Sequence, residues 1–386
     1  MLTSNAYLDV FMPHSGIALP ITSSLAPGDS VLIGNCYKIE SILEFESAWI
    51  LFTEHTTKPK RLVMKVLRGY KDTRYSLETR DKRQQCQLEA LQRNRTYTPE
   101  VYLGLARIFD FSPPFDYIRI GELIEKPSQE ILDPDAEYAL LMEQLPDNRR
   151  LDTLLQTDDA TFVGHLVRVL AEYVAYMHVN LTPSLSLEEA SRWGSYEQLH
   201  DKLLKNLQIL DLVPTISEYC KRICPKERID SLRKSVLELF SQSRYLDYFQ
   251  QRIWTQRIKR CHGDIKSPNI WMIPSRDGEN GQCIKILDAI DFNPSYSNID
   301  ILSDFAMLVI DIQTRTHSSE LADAMIDHYL ALTGQNEPVA RAVLGYYLVE
   351  KALVGTYISF VYDDLPNLGL SLLEVAEKRI NCLMHL

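Results

Sequence analysis

The sequence predicts an α+β chain with two lobes, a small β-rich lobe followed by a larger helical lobe. Between residues 31 and 145, short runs rich in β-branched and aromatic residues alternate with polar breaks, a pattern typical of strands. After Pro146, apolar residues recur at helical spacing through most of the remaining chain. A length of 386 residues is also too great for one ordinary hydrophobic core.

Composition excludes several classes of protein. The apolar fraction of 45% and the charged fraction of 24% are those of a soluble globular protein. A net charge of −11 argues against nucleic acid as a partner. The N-terminus lacks a signal-peptide pattern, and no apolar run approaches the roughly 20 residues that span a bilayer. Seven scattered cysteines without paired metal-ligand spacing fit a reducing compartment. We therefore expect a cytoplasmic protein without a membrane partner.

The first 145 residues divide into an extension and the β-rich lobe. Residues 1–30 mix Pro, Ser, Thr and Gly without periodicity, which predicts an irregular N-terminal extension. The lobe over 31–145 is predicted to begin with three antiparallel strands. The following segment, "SLETRDKRQQCQLEALQRN", consists largely of helix formers and predicts a helix. Two further strands are predicted at "IRIGELIE" and "EYALLMEQL".

The helical lobe is predicted to cover residues 146–386, with one interruption. A helix is expected over "ATFVGHLVRVLAEYVAYMH", and others are expected near the following ranges: 195–210, 215–224, 229–257, 319–333, 337–360 and 367–384. Only region 261–293 departs from this pattern. It contains the loop "CHGDIKSPN", then strands at "NIWMI" and "CIKILDA" separated by the turn "SRDGENGQ".

Three side chains of this interruption could carry chemistry together. Each of Asp264 and Asn269 could be a simple turn residue. Phosphoryl transfer, however, needs a carboxylate that accepts the proton of the nucleophile, together with oxygen ligands for Mg²⁺. Asp264, Asn269 and Asp288 supply that set if the hairpin folds Asn269 back beside Asp288.

The same residues carry a resemblance to a known family. "HGDIKSPN", followed by a hairpin and "LDAIDF", resembles the catalytic and metal-binding segments of the aminoglycoside phosphotransferase and choline-kinase-like branch of the protein-kinase-like fold. Three further segments are similar to an uncharacterised bacterial phosphotransferase-like subgroup: "RNRTYTPEVYLGLARI", "YALLMEQL" and "NIDILSDFAMLVIDI". The resemblance covers about residues 31–360. It implies a nucleotide-binding N-lobe and a C-lobe with the catalytic loop, metal site and acceptor pocket.

The resemblance implies roles for the residues of the loop and hairpin. Asp264 would be the catalytic base or orienting carboxylate, and Asn269 and Asp288 would hold Mg²⁺. Asp291 is the alternative metal ligand, because "IDF" supplies a second acid just after the strand. Lys266 would offset charge on the transferring phosphoryl group, although an exposed loop lysine is the plain alternative. His262 is expected to pack under the loop.

In the β-rich lobe, the resemblance implies a nucleotide site. Lys65 lies between apolar neighbours on a predicted strand, where a lysine is costly unless it is paired or bound to an anion. Glu89 is the implied partner of Lys65 in positioning the nucleotide phosphates, although it could equally be a solvated helix acid. The Glu143 carbonyl and the Leu145 amide would bind adenine through backbone atoms.

One segment of the sequence departs from the pattern of the resembled family. Between the first two strands the chain reads "SILEFESAW", without the glycines that let backbone amides approach phosphates.

Asp300 and Asp304 lie at helical spacing in "NIDILSDF". The resemblance implies that Asp304 braces the catalytic loop by accepting backbone N–H bonds. Both residues could also be acids favoured by the dipole of a helix N-terminus.

The function predicted on these grounds is that of an ATP- and Mg²⁺-dependent phosphotransferase acting on a small-molecule hydroxyl. The acceptor would lie beside Asp264, against C-terminal helices that carry Tyr346, Tyr347, Glu350 and Lys351. The basic run over 221–260, interpreted as a solvated helix face, gives no support to a polycationic aminoglycoside. A sugar, an alcohol or a nucleoside is at least as compatible with the sequence as the acceptor. The alternatives are a non-catalytic nucleotide-binding scaffold, favoured by the glycine-free turn, and a protein Ser/Thr kinase, favoured by Lys266.

Overall fold

The computed structural model describes residues 35–71, 76–112, 114–274 and 282–384. The predicted extension over 1–30 and the turn around Gly281 lie outside the described residues. The described chain divides into two compact units. The N-terminal unit runs to Pro146 and includes Ala289–Asn293, and the C-terminal unit comprises Asp147–Asp288 and the chain from Pro294 onwards.

The N-terminal unit is a closed antiparallel sheet with one helix. Its elements are β1 Asn35–Glu44, β2 Ala48–His55, β3 Arg61–Leu67, α1 Arg80–Tyr97, β4 Tyr102–Asp110, β5 Tyr117–Ile120 and β6 Tyr138–Glu143. The strands follow the order β1-β2-β3-β6-β4-β5, and β5 pairs back to β1. Closure leaves no long unpaired edge in this sheet. One face of the strands forms a core that includes Leu51, Met64, Val66 and Ile118.

Helix α1 is held to this sheet by amide side chains as well as by apolar contacts. Thr79 caps its N-terminus by accepting a hydrogen bond from the Lys82 amide. The buried Gln84 donates through Nε2 to the carbonyls of Asp133 and Ala136, both at 2.9 Å. Gln87 Nε2 donates to the Lys65 carbonyl at 3.0 Å. These bonds fix the helix against the strand that carries Lys65.

The C-terminal unit is mainly helical. Its helices are α2 Leu151–Leu154, α3 Ala160–Tyr176, α4 Leu187–Gly194, α5 Tyr196–Ile209, α6 Val213–Ile216, α7 Glu218–Ile223, α8 Lys226–Phe240, α9 Arg244–Trp254, α10 Pro294–Ser297, α11 Ile301–Thr316, α12 Ser319–Leu332, α13 Pro338–Tyr357 and α14 Pro366–Met384. Its strands are β7 Ile258–Arg260, β8 Ile270–Pro274, β9 Gln282–Ile286 and β10 Asn298–Asp300. Strands β8 and β9 form an antiparallel hairpin, and β7 pairs with β10.

Helices α11 and α13 form the centre of this unit. Both are buried around most of their circumference, as expected for helices that are apolar on nearly every face. Phe305 of α11 stacks on Tyr329 of α12 with ring centroids 3.7 Å apart. No helix within the described residues is both long and apolar enough to cross a membrane.

The predicted α+β class, with a small β-rich lobe and a larger helical lobe, is confirmed, and individual elements differ. The single helix predicted over 229–257 is wrong, because α8 ends at Phe240 and α9 begins at Arg244. The intervening "SQS" supplies serines, which favour helix ends over helix interiors. Strand β4 was not predicted. Its Gly104 has a φ of 152°, and a glycine inside a strand weakens the pattern of apolar alternation.

Candidate active site

The β8–β9 hairpin brings the two halves of the predicted metal site together. Ile270, the first residue of β8, pairs with Ile286, the last residue of β9. The Leu287 amide donates to the Asn269 carbonyl at 2.9 Å. This bond holds the residue before β8 against the segment after β9, so Asp288 follows directly from a residue bonded to Asn269.

Asp264, Lys266 and Asn269 form one buried cluster. Each side chain belongs to a residue that is less than a tenth exposed. Lys266 Nζ lies 2.9 Å from Asp264 Oδ2, and Asn269 Nδ2 donates to the same oxygen at 3.0 Å. Asn269 Nδ2 also donates to the Asp264 carbonyl at 3.0 Å. Two donors converge on Oδ2, which orients the carboxylate and leaves Oδ1 as the atom that can meet a hydroxyl group.

The chemistry of these donors suits a magnesium ion. Because Asn269 uses its amide nitrogen to bond Asp264, its oxygen Oδ1 is the atom that it can offer to a cation. Asp288 supplies a carboxylate and has a φ of 65°, in the left-handed region that a non-glycine residue rarely adopts. Carboxylate and amide oxygens are the protein ligands that Mg²⁺ prefers. The predicted ligands Asn269 and Asp288 therefore fit this ion chemically.

His262 lies wholly buried beneath the loop, as expected. Its Nδ1 accepts a hydrogen bond from the Asp264 amide at 3.3 Å. Burial lowers the pKa of His262, although Asp304, Asp264 and Asp288 act in the opposite direction. The ring is therefore neutral at neutral pH and supports the backbone of the catalytic loop.

Asp304 braces the loop from below through both of its oxygens. Oδ2 accepts from the His262 amide at 3.0 Å, and Oδ1 accepts from the Gly263 amide at 2.9 Å. His178 Nε2 lies 3.2 Å from Oδ2, and its Nδ1 lies 2.7 Å from the Tyr329 hydroxyl. Burial alone would raise the pKa of Asp304, but His178, His262 and the Gly263 amide outweigh it and lower that pKa. Asp304 is thus an ionised residue that positions the loop.

A second carboxylate, Asp300, is locked by a residue that the sequence pattern misassigned. Arg252 donates two hydrogen bonds of 2.7 Å to Asp300 and one of 2.6 Å to Gln335. Arg252 is 2% exposed, so the interpretation of the basic run as a solvated helix face is wrong at this position. The signal was its spacing, since Tyr245, Phe249 and Arg252 lie on one face of α9 and all are buried.

Asp311 was not predicted either, and it holds the far end of the loop. The Ser267 amide donates to Asp311 Oδ2 at 2.7 Å. Arg315, one helical turn further along α11, donates to Asp311 Oδ1 at 2.8 Å. Asp304 and Asp311 of α11 therefore hold the two ends of the loop, and Asp300 caps the same helix by accepting a hydrogen bond from the Leu302 amide. A period of four to seven residues within "DILSDFAMLVID" was the available signal.

The N-terminal unit holds the predicted nucleotide residues. Lys65 lies at the middle of β3, opposite Ile50 of β2 and Leu140 of β6. Glu89 of α1 accepts a hydrogen bond from Gln85 at 3.1 Å. Asp291, the alternative metal ligand, also belongs to this unit. A cavity of about 250 Å³ is lined by Ser76, Leu77, Lys82, Gln85, Cys86, Glu89, Asp291 and Phe292.

The Cys86 thiol lies near three charged side chains of the N-terminal unit. Burial raises its pKa strongly, and the charges of Asp291, Lys65 and Glu89 all act on it. Lys65, Glu89 and Asp291 are therefore neighbours of one side chain. Segment Ala289–Asn293 is fixed to α1, since Arg93 donates to the Ile290 carbonyl at 3.0 Å and the Ala289 amide donates to Asn94 at 2.8 Å.

The two predicted adenine contacts lie at the end of β6. Glu143 is the last residue of that strand, with an exposed side chain and an amide that donates to the Val101 carbonyl at 2.9 Å. Leu145 follows two residues later and is half-buried. The Glu143 carbonyl and Leu145 amide stay predicted contacts, assigned by the resemblance.

The glycine-free segment forms a short closed turn between β1 and β2. The Phe45 amide donates to the Ala48 carbonyl at 2.8 Å. Arg68 pins the turn from outside, with its Nη1 donating to Glu44 and to the Phe45 carbonyl, each at 2.8 Å. Its guanidinium also stacks on Trp49, 4.4 Å from the ring centroid. At least one backbone amide is therefore used to close the turn, and the Arg68 guanidinium lies against the turn.

A further group of potential metal ligands lies under the loop. His178, Cys261 and Asp304 offer ligand atoms within 4.8 Å of one another. Each has a protein partner, and Cys261 Sγ donates to the Ile299 carbonyl at 3.4 Å. Burial raises the pKa of the Cys261 thiol well above its usual value, so the sulfur keeps its proton. The group is structural.

Comparison with known proteins gives a likeness of fold. No protein-family model matches the chain, and no curated protein matches its sequence. Among solved structures, those to which the chain is similar include small-molecule kinases and phosphotransferases. An ethanolamine kinase from Plasmodium vivax is 15% identical, with 87% of this chain and 81% of that chain covered and a TM-score of 0.44.

Two further solved structures have comparable values. A choline kinase from Cryptosporidium parvum is 14% identical over 90% of this chain and 88% of its own, with a TM-score of 0.43. An aminoglycoside phosphotransferase from Alicyclobacillus acidocaldarius is 13% identical over 94% and 96%, with a TM-score of 0.46. The matched structures are of the kinds that the sequence resembles.

Proposed function

We propose that the protein is an ATP- and Mg²⁺-dependent phosphotransferase that transfers the γ-phosphate to a hydroxyl group of a small molecule. The observation that supports this most is the cluster of Asp264, Lys266 and Asn269, joined by bonds of 2.9–3.0 Å and held by the buried Asp304. A carboxylate, an ammonium group and an amide at such distances match the needs of phosphoryl transfer.

In this proposal Asp264 orients the acceptor and takes its proton. Oδ2 is engaged by Lys266 and Asn269, so Oδ1 accepts the hydroxyl proton as the acceptor oxygen attacks the γ-phosphorus and the bond from that phosphorus to ADP breaks. Lys266 balances negative charge in the transition state, because its ammonium group is already held 2.9 Å from Asp264. The Asp304 brace keeps the loop backbone in one conformation and so reduces the reorganisation that reaction requires.

Asn269 and Asp288 would hold the magnesium ion, which supplies charge neutralisation on the phosphate oxygens when bound. Lys65 and Glu89 would position the nucleotide phosphates, and the backbone of Glu143 and Leu145 would bind adenine. Asp291 remains the alternative metal ligand. All seven cysteines are free thiols, which supports placing the reaction in a reducing cytoplasm.

The experiment that tests the proposal measures ADP release and phosphate transfer from MgATP with a panel of hydroxyl compounds. We expect Asp264→Asn to lower the rate by about 10²–10⁴-fold, as for loss of a general base. Asp288→Ala should remove the Mg²⁺ dependence together with the activity. Asp327→Asn, at an exposed ion pair on α12, is the matched control and should match wild type. Turnover that is independent of both Asp264 and Asp288 would overturn the proposal.

The closed β1–β2 turn favours a second candidate, a non-catalytic nucleotide-binding scaffold. Its own hydrogen bond and Arg68 occupy the place where a glycine-rich loop would offer amides. Under this alternative, MgATP would raise the melting temperature by mass action, yet no ADP would form with any acceptor. The other alternative, a protein Ser/Thr kinase, stays a prediction that rests on Lys266.

A further inference from the structure

A buried charge cluster in the C-terminal unit lies outside the catalytic loop. Glu350 of α13 is 3% exposed, and its neighbour Lys351 is 7% exposed. Lys351 Nζ lies 3.0 Å from Glu350 Oε2, and Lys202 Nζ of α5 lies 3.4 Å from Oε1. Asn206 Nδ2, one turn after Lys202, donates to the same Oε1 at 3.1 Å. Two ammonium groups thus share one carboxylate.

This cluster has more positive charge and more donors than its acceptors can satisfy. Two ammonium groups carry six N–H donors, whereas a single carboxylate must also serve the Asn206 amide. Within the described residues no second carboxylate pairs with either lysine. A buried cation is costly unless a counter-charge and acceptors are supplied. With both lysines charged, the cluster has a surplus of one positive charge.

The ionisation of the two central residues agrees with that surplus. Burial would raise the pKa of Glu350, but Lys202 and Lys351 outweigh it and lower the pKa to about 2. Burial lowers the pKa of Lys351, and the neighbouring Lys202 lowers it further, against the opposing effect of Glu350. Two lysines therefore share one ionised carboxylate, and within the described residues no second carboxylate pairs with the remaining positive charge.

The cluster is joined to the catalytic loop through α10. Lys202 Nζ lies 5.7 Å from the centroid of the Tyr296 ring, on α10. The next residue, Ser297, accepts a hydrogen bond of 2.6 Å from the Cys261 amide, at the start of the loop that carries Asp264. The charge of Asp304, which braces that loop, also acts on Lys351. The surplus charge therefore lies on the side of the catalytic loop within the same unit.

We propose that Lys351 and Lys202 form an anion subsite for the acceptor, so that the substrate carries a carboxylate or phosphate group in addition to the hydroxyl that is phosphorylated. This inference rests on the proposed function, because the protein binds an acceptor only if it is a phosphotransferase. The anion would supply the missing counter-charge and accept N–H bonds from both lysines, as in charge-assisted recognition of oxyanions. A quaternary or primary ammonium acceptor would instead meet two like charges, because Glu350 is already neutralised by Lys202 and Lys351.

The first test measures binding without nucleotide or Mg²⁺, with inorganic phosphate as the probe and calorimetry as the readout. Lys351→Met and Lys202→Met should each weaken phosphate binding by about 10-fold or more, the loss expected for one charge-assisted hydrogen bond. Glu350→Gln should act in the opposite direction and tighten it, since the two lysines lose their only carboxylate. Opposite signs distinguish an anion site from a purely structural cluster, in which all three changes only destabilise.

Two controls accompany this measurement. Lys205→Met removes an exposed lysine of the same helix, paired at 2.6 Å with Asp201, and should leave phosphate binding unchanged. Lys65→Met tests the N-terminal unit. If this variant alone loses phosphate binding, the phosphate binds at the predicted nucleotide residues and not at the lysine cluster. Because Glu350→Gln leaves the buried Lys351 and the half-buried Lys202 without a carboxylate, its folded fraction is measured by circular dichroism. Phosphate should raise its melting temperature more than that of wild type.

The second test compares small acceptors of one size and different charge in the MgATP assay. D-Glycerate should have a lower KM than glycerol, and ethanolamine should be the poorest acceptor. Lys351→Met should raise the KM for D-glycerate by a larger factor than the KM for glycerol, because only D-glycerate carries the anion. The inference is overturned if phosphate binding ignores Lys351 and Lys202, even where turnover depends on Asp264. Lys351-dependent phosphate binding without any turnover would keep the anion site and reject the proposed function.

Discussion

The loop that carries Asp264 and the β1–β2 turn are held in place in opposite ways. The loop is held by two carboxylates of α11, with the buried Asp304 accepting hydrogen bonds from two backbone amides and Asp311 accepting one from a third. The turn has no such support and closes on itself through the Phe45 amide, with Arg68 packed against it. The groups that would act on the acceptor under the proposed function are fixed by charge, whereas the segment that would hold nucleotide phosphates is a short turn closed by its own hydrogen bond.

This difference teaches where to seek nucleotide binding. Backbone amides bind phosphate only when glycines let the chain approach and the amides are not used elsewhere. The β1–β2 turn has no glycine, and its Phe45 amide is bonded to Ala48. Lys65, a lysine in the middle of β3, is then the residue of the N-terminal unit best suited to hold a phosphate group. By contrast, a substitution at any buried residue of the charge network in the C-terminal unit should lower stability or activity.

The largest expected effect comes from breaking that network at Arg252. Arg252→Met leaves Asp300 buried without its bidentate partner, which costs about 3–5 kcal/mol of the free energy of unfolding. The measurement is urea denaturation. Arg341→Met is the matched control, because the Arg341–Asp327 pair has a similar distance of 2.8 Å but is largely exposed. The control should cost less than about 1 kcal/mol. Equal costs for the two variants would show that burial adds nothing to the network.

Arg252 also shows what the sequence could and could not predict. The two lobes and the hairpin follow from local patterns, because strands, helices and turn residues have characteristic periods. The partners of Arg252 lie 48 and 83 residues away. No local period encodes which carboxylate a lysine or arginine will reach, so the ion pairs had to come from the fold. Asp304 was predicted as a brace only through the family resemblance.

The next effect concerns the position of the loop. Asp304→Asn keeps one acceptor oxygen but turns an amide N–H toward either His262 or Gly263, whose own amides also donate. We expect transfer to fall by about 10–100-fold, the range for residues that orient ligating or reacting groups. The fall should appear in kcat, with the KM for MgATP nearly unchanged. A KM effect alone would mean that Asp304 supports substrate binding and not the loop geometry.

The pH dependence of stability tests the charge cluster around Glu350. Its folded pKa of about 2 lies below the ordinary 4.5, so its stabilising contribution is present above pH 4.5 and is lost as the pH falls towards 2. A shift of this size corresponds to about 3 kcal/mol. Denaturation of wild type and Glu350→Gln at several pH values should give a stability difference that shrinks over this window. A difference that stays constant with pH would show that Glu350 is not ionised in the folded protein.

The smallest effect is expected at the β1–β2 turn itself. Glu46→Gly introduces the residue that a phosphate-binding loop would need, at the tip of a turn whose Phe45 amide is already bonded to Ala48. We expect the Kd for MgATP to stay within about twofold of wild type, a change of less than about 0.5 kcal/mol. Lys65→Met serves as the positive control and should weaken binding clearly. Tighter binding by Glu46→Gly would mean that the turn contacts the phosphates, and that the contrast between the two regions is one of degree.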